Sequence, residues 1–333
     1  MNKEFLLRKL DLPDFVPLPL LSSGFLQSVA GTYWPQRPDD GLAELKQISL
    51  GEGDFTVAAV DRPLAWKPGD RVLLLIHGLT GDHLSSYMVR LSQRFRDDGF
   101  LVVRMNLRNA GAAFGLSRKT YHGGITDDVR TILRWIAVEY PNSPVTAIGY
   151  SLSGNLLLKM AAEDGDSPTG NLARIATVSP AVDLAQASRK LEEFPGSLIA
   201  NFFLKLLLKD LARLQVMFPA ELHPLKFPEK LTIRGFDDVH NSAYHGFQGA
   251  DDYYFKCSSI NHLSFIEVPT LIIGSIDDPV VDISGVQESL LPPHIESVIT
   301  DHGGHAGYIG FADNVLETRW SDVVISRWVS CAS

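Results

Sequence analysis

Short, almost wholly apolar runs recur along the chain, each followed by a segment with helical spacing. Arg71–Ile76 (RVLLLI), Phe100–Met105, Val145–Tyr150 and Arg174–Ser179 are such runs. A run without polar alternation suits a strand covered on both faces, as in a parallel sheet. Between them, Ser85–Asp98 places Tyr87, Leu91 and Phe95 four apart, which predicts a helix. Thr126, with two aspartates behind it, opens a second helical segment (TDDVRTILRWIAVEY) that stops at Pro141. A capping residue followed by acids in the first turn is a helix start signal. Gly154–Glu163 reads as a third helix, ending near Gly165. The alternation resumes at Thr270–Gly274 (TLIIG) and Ser297–Thr300 (SVIT), and a last helix is expected from about Asn314 to Val329. This order predicts an α/β fold, a mostly parallel central sheet with helices on both faces.

Two stretches leave the pattern. Residues 1–44 are rich in proline and aromatics and read as an irregular N-terminal arm lying on a core. Residues 183–266 break the alternation and read as a helical cap insertion, which leaves 45–182 and 267–333 as the core. Within the insertion, SLIANFFLKLLLKDLARL is expected to be a core helix or helix pair, with a lid that touches a membrane surface weakly as the alternative. Lys205, Lys209, Asp210 and Arg213 interrupt it, and charges are costly in hydrocarbon, so no transmembrane span is expected.

Composition narrows the classes. The chain has 333 residues, 45% of them hydrophobic and 21% charged, which is ordinary for a globular protein. A net charge of −9 supplies no basic stripe for nucleic acid. Two cysteines, Cys257 and Cys331, are too few for a disulfide scaffold and point to a reducing compartment. The opening MNKEFLLRKLDLPDFVPLPL is broken early by acids and prolines, so no signal peptide is expected and the cytoplasm is the expected location.

The candidate chemistry centres on GYSLSG, residues 149–154, between a predicted strand and a predicted helix. A serine hydroxyl is a weak nucleophile until a base takes its proton. A sharp strand-to-helix turn pushes that oxygen out of the sheet and needs small neighbours, hence the usual G-x-S-x-G. Here Gly149 precedes Ser151 correctly, while Ser153 stands where the second glycine is usual. Ser151 is therefore the expected nucleophile, and Ser153 a small substitute able to cap the helix. The helix N-terminus places the Leu152 N–H as one oxyanion donor, and the loop HGLTG (77–81) offers the N–H of Leu79 as the second. His77 reads as structural.

The acid and base should follow later strands in the order serine, acid, histidine. GSIDDPVV (274–281) follows one strand, and its Gly-x-x-Asp spacing favours Asp277, with Asp278 before Pro279 as a turn cap. DHGGHAGY (301–308) follows the next; Gly303 and Gly304 let the backbone bring His305 close, with His302 as the competitor. None of the histidines has metal-site spacing, and neither G-x-G-x-x-G after a strand nor a P-loop lysine is present, so no metal or cofactor is expected.

Together HGLTGDHLSSY (77–87), NLRNAG (106–111), YHGGITDD (121–128), GYSLSGN (149–155), FQGADDYYFKCSS (247–259), DDPVV (277–281) and GGHAGY (303–308) resemble the YheT-like branch of the α/β-hydrolases, related to the ABHD lipid esterases. The resemblance covers roughly residues 60–320. It implies the α/β-hydrolase fold with a helical cap and a Ser-Asp-His esterase, with Ser151, Asp277 and His305 in the three roles. Two positions depart: that family usually has glycine where Ser153 stands, and Arg-Gly where Arg108-Asn109 stands. The expected activity is hydrolysis of short- to medium-chain acyl or lipid-like small-molecule esters through an acyl-enzyme. Transfer of the acyl group to an alcohol by the same triad, and a binding protein on a hydrolase scaffold, are the alternatives.

Overall fold

The computed structural model describes residues 3–194, 198–311 and 318–331. Eight strands form the central sheet: β1 Glu44–Gly51, β2 Asp54–Asp61, β3 Val72–Ile76, β4 Leu101–Met105, β5 Val145–Tyr150, β6 Leu172–Val178, β7 Thr270–Ser275 and β8 Ile295–Thr300. Their spatial order is β1-β2-β4-β3-β5-β6-β7-β8. β1 and β2 pair antiparallel, β2 pairs antiparallel with β4, and every later pair is parallel. The parallel strands are the apolar runs of the sequence. All five residues of β3 are fully buried, with Val72, Leu74 and Ile76 in one core layer and Leu73 and Leu75 in the other. Covering such a side chain contributes about 1.5–3 kcal/mol, and only helices on both faces achieve it for successive residues.

The helices Ser86–Asp97, Thr126–Glu139 and Leu152–Asp164 lie where the spacing predicted them. Thr126 does not cap its helix; its hydroxyl donates to Glu163 Oε2 at 2.8 Å. The last helix is Trp320–Ser330, shorter than expected, and the start of the expected segment at 314–317 lies outside the described residues. Among the described residues no helix is long and apolar enough to cross a membrane.

The connection from β6 to β7 carries the helices Leu184–Glu193, Leu198–Met217 and Ala250–Cys257, with shorter helical pieces at Ile233–Phe236 and Ser242–His245 before the last of them. Their inward side chains cluster with Leu152, Val280 and Val281 at the C-terminal ends of the parallel strands. That is the edge of such a sheet where ligands bind.

The arm is not irregular. It forms the helices Lys3–Lys9 and Gly24–Tyr33, and Val16–Pro17 pairs antiparallel with Gly310–Phe311. Leu6, Leu7, Leu10 and Leu12 are buried against the core layer that holds Leu73, Leu75 and Trp320. The prolines at 13, 17 and 19 break the apolar period between these helices, so no continuous helical pattern is visible in the sequence.

Candidate active site

β5 ends at Tyr150 and the next helix begins at Leu152, so Ser151 alone makes the turn. Its φ of 52° and ψ of −115° are unusual for a residue with a side chain. The neighbours must be small. A Cβ on Gly149 would lie 2.5 Å from the Ser153 carbonyl oxygen, and one on Gly154 would lie 2.8 Å from Pro180. Ser153 is fully buried and does not cap the helix; its hydroxyl donates to the carbonyl of His77. Its extra atoms tie the elbow to the loop after β3.

That loop is fixed on both sides of Leu79. Gly78 N–H donates to Tyr87 Oη at 2.9 Å, and Thr80 N–H donates to Tyr121 Oη at 2.9 Å. Both tyrosines are half-buried, and desolvation pushes their phenols up to about 12, so they stay neutral. Leu79 and Leu152 line the same cavity as Ser151. His77 is fully buried; its Nε2 accepts from Leu107 N–H at 3.0 Å, which makes Nδ1 the donor to the Gly78 carbonyl at 2.8 Å. Burial pushes its imidazole down to about 4, and it serves the loop's shape.

His305 follows β8, as expected, and its loop uses left-handed backbone at Gly304, Ala306 and Tyr308. Its partner is not Asp277. His305 Nδ1 lies 2.9 Å from Oδ2 and 3.2 Å from Oδ1 of Asp278. Asp278 is buried, and its Oδ1 also accepts from Val280 N–H and Val281 N–H at 2.7 and 3.0 Å. It therefore caps the turn, as expected, and holds the imidazole as well. Asp277 faces elsewhere: its Oδ1 accepts from Gly304 N–H at 2.9 Å and its Oδ2 lies 3.4 Å from His302 Nδ1. The Gly-x-x-Asp spacing misleads because Ile276 still bonds to the neighbouring strand, its N–H donating to Thr300 O at 2.9 Å. The chain turns inward only one residue later, before Pro279.

Ser151 N–H donates to Val178 O, and Ala306 N–H donates to the hydroxyl of Ser179. The two loops thus meet at the end of β6. Among the described residues no hydrogen bond joins the Ser151 hydroxyl to His305.

A cleft of about 130 Å³ opens beside Ser151. Leu184, Ala187, Leu191, Phe203, Leu207 and Leu211 give it an apolar wall. Thr120, His122 and His240 add polar lining: Thr120 Oγ1 lies 3.1 Å from Nε2 of both His240 and His245, and the His122 and His245 ring centroids lie 4.4 Å apart with the planes tilted by 45°. Desolvation pushes His122 and His240 down to about 3 and His245 to about 4, so the cluster is neutral. Beside it, burial pushes Asp237 up to about 7, against hydrogen bonds from Tyr254 and Asn241. No sequence spacing marks these residues, because they come from two segments more than a hundred positions apart. Among the described residues no group of three or more His, Cys, Asp or Glu side chains could hold a metal ion.

The second departure is also accommodated. Asn109 adopts φ 56°, a conformation that asparagine tolerates better than most residues. Its amide bridges the following loop, donating to Ser117 O and Lys119 O and accepting from Gly115 N–H and Ser117 N–H. Arg108 is held by Asp54 at 2.6 Å and by both oxygens of Asp128 at 2.6 and 2.8 Å.

The alpha/beta hydrolase fold family matches residues 71–312. YheT of Escherichia coli (strain K12), by its name a candidate esterase, is 32% identical over 322 residues, covering 95% of this chain and 93% of that one. Human phospholipase ABHD3 is 28% identical over 71% of this chain, which spans 58% of that protein's length. Among solved structures, the esterase Pf2001 of Pyrococcus furiosus covers 86% of this chain and 90% of its own, at a TM-score of 0.55 and 15% identity.

Proposed function

The chain belongs to the alpha/beta hydrolase family and is an esterase-type hydrolase, and from that premise we propose that it is a serine carboxylic-ester hydrolase working through an acyl-enzyme. Ser151 attacks the acyl carbon. His305 takes its proton and returns it to the leaving alcohol. Asp278 fixes the imidazole with Nδ1–H toward itself, which leaves Nε2 free to act as the base, and it stabilises the imidazolium that forms. The N–H groups of Leu79 and Leu152 bind the oxyanion, each contributing roughly 3 kcal/mol of barrier lowering. Water then attacks the acyl-enzyme. The Ser151–His305 contact closes when substrate enters and excludes water, as such contacts commonly do.

The observation that carries this reading is the backbone of Ser151, held at φ 52° beside the cavity by small neighbours and bonded to Val178 at the end of β6, next to Ser179, which Ala306 of the His305 loop bonds. The apolar wall supports a short- to medium-chain acyl or lipid-like substrate, with residues 183–266 as its cap. The cap's outer face exposes Leu198, Phe202 and Val216 beside Lys205 and Lys209, which supports weak contact with a lipid surface. Free Cys257 and Cys331 accord with a reducing compartment, and we place the protein in the cytoplasm.

The test is hydrolysis of p-nitrophenyl esters from acetate to laurate, alongside Ser151→Ala and with fluorophosphonate labelling. Hydrolysis and labelling by the wild type, both lost in the variant, are expected. Hydrolysis that survives Ser151→Ala would overturn the assignment. Adding ethanol reports whether an alcohol competes with water for the acyl group.

A further inference from the structure

We propose that the N-terminal helix Gly24–Tyr33 belongs to the active site, with Ser28 as a positioning residue for His305; this rests on His305 being the base proposed above. The His305 loop is irregular backbone. Gly303, Gly304, Ala306 and Tyr308 all have positive φ, two of them with side chains. Such a conformation persists only where its surroundings hold it. Here the surroundings are the arm.

His305 N–H donates to Ser28 Oγ at 2.8 Å, and the Ser28 hydroxyl in turn donates to Gly24 O at 2.7 Å. The serine is thus oriented as an acceptor toward the base's own amide. Next to Ser28, the fully buried Gln27 makes a two-way bond with the backbone of Ile309, four residues after His305. Its Nε2 donates to Ile309 O at 2.8 Å, and its Oε1 accepts from Ile309 N–H at 2.7 Å.

The helix also lies against this loop backbone to backbone. A Cβ on Gly304 would sit 2.1 Å from Gly24 O, one on Gly307 would sit 2.3 Å from Gln27 O, and one on Gly31 would sit 2.8 Å from Gly307 Cα. Its first residue touches the acid's loop as well, since a Cβ on Gly24 would lie 1.8 Å from Asp277 O. The far end is anchored by Arg319, whose Nη1 donates to Gly31 O at 2.9 Å. One short helix therefore fixes the two loops that carry Asp278 and His305, and the separation between those residues is set from outside the α/β core. Displacing a catalytic group by an ångström commonly slows a reaction by one to two orders of magnitude.

The variant Ser28→Ala tests this. It removes the acceptor without adding bulk. Two quantities are read: the rate at which a fluorophosphonate modifies Ser151, and the rate at which the His305 Nδ1–H proton exchanges with solvent, followed by NMR. Ser28→Ala is expected to slow labelling about tenfold and to speed that exchange, because a loosened ring loses part of its Asp278 contact. Gln27→Leu should move both readings the same way. The labelling rate decides where the wild type is labelled: a rate within twofold of wild type overturns the proposal. Where the wild type is not labelled, the serine-hydrolase reading has failed and the exchange rate decides; an unchanged exchange rate in Ser28→Ala then overturns the proposal.

Discussion

Ser153 donates its hydroxyl to the carbonyl of His77, joining the nucleophile's helix to the loop that presents Leu79. A glycine there would leave the turn possible and the bond absent. The departure from the usual elbow is therefore a substitution of one fastening for none. Ser153→Ala should cost about 1 kcal/mol of stability, the typical net worth of a buried hydrogen bond. For a chain of this size that lowers the melting midpoint by about 1–2 °C. Loosening the Leu79 loop should also reduce kcat/KM, by about threefold to tenfold. Calorimetry and ester kinetics on Ser153→Ala and Ser153→Gly check this; a rise in kcat/KM for either would count against a fastening role.

Two adjacent aspartates divide the work after β7. Asp278→Asn removes the negative charge beside Nδ1 and allows the wrong tautomer, so kcat should fall by about three to four orders of magnitude. Asp277→Asn keeps an acceptor for Gly304 N–H and should change kcat by less than about tenfold. The reverse ranking in steady-state hydrolysis would return the role to Asp277.

The sequence made the sheet legible because a doubly covered strand has no polar alternation to confuse it, as β3 shows with five buried residues. The serine, the histidine and the oxyanion loop were legible because each sits at the end of such a strand with glycine beside it. The aspartate was misplaced by one residue, since only the bond from Ile276 N–H to Thr300 O shows how far the edge of β7 runs. β1 and β2 were not marked as strands: β1 lies at the sheet edge, buries only Ile48 among exposed and half-buried positions, and carries Glu44 and Lys46. Ser28 and Gln27 were invisible because their value lies in partners about 280 positions away.

Four histidines are held neutral inside the fold, His77 and His245 at about 4 and His122 and His240 at about 3, against an ordinary 6.5. A folded-state value below the unfolded one means that the unfolded chain takes up protons first as pH falls. Their contribution is complete above about pH 6.5 and is lost progressively down to about pH 3–4. Asp237 has the opposite sign. Its value is raised to about 7, so its contribution is complete below about pH 3.8 and fades as pH rises through 7. Four groups outweigh one, and the melting midpoint should fall as pH drops from 7 to 4. His240→Gln should make that slope shallower. A midpoint flat across this range would refute the buried-neutral assignment.

The cap wall should set chain length. Leu207 and Leu211 line the cleft from the helix Leu198–Met217, together with Leu184 and Ala187. Each methylene of an acyl chain covered there is worth up to about 0.8 kcal/mol, so affinity should rise with chain length until the cleft is full. Leu207→Trp shortens the space without touching Ser151, His305 or Asp278. Its KM should rise about tenfold for decanoate and laurate esters and stay near wild type for acetate and butyrate, with kcat for the short esters little changed. An equal loss on every ester would mean that the substitution disturbs the elbow or its loops. An unchanged profile would mean that the acyl chain leaves the nucleophile along another wall, away from the cap.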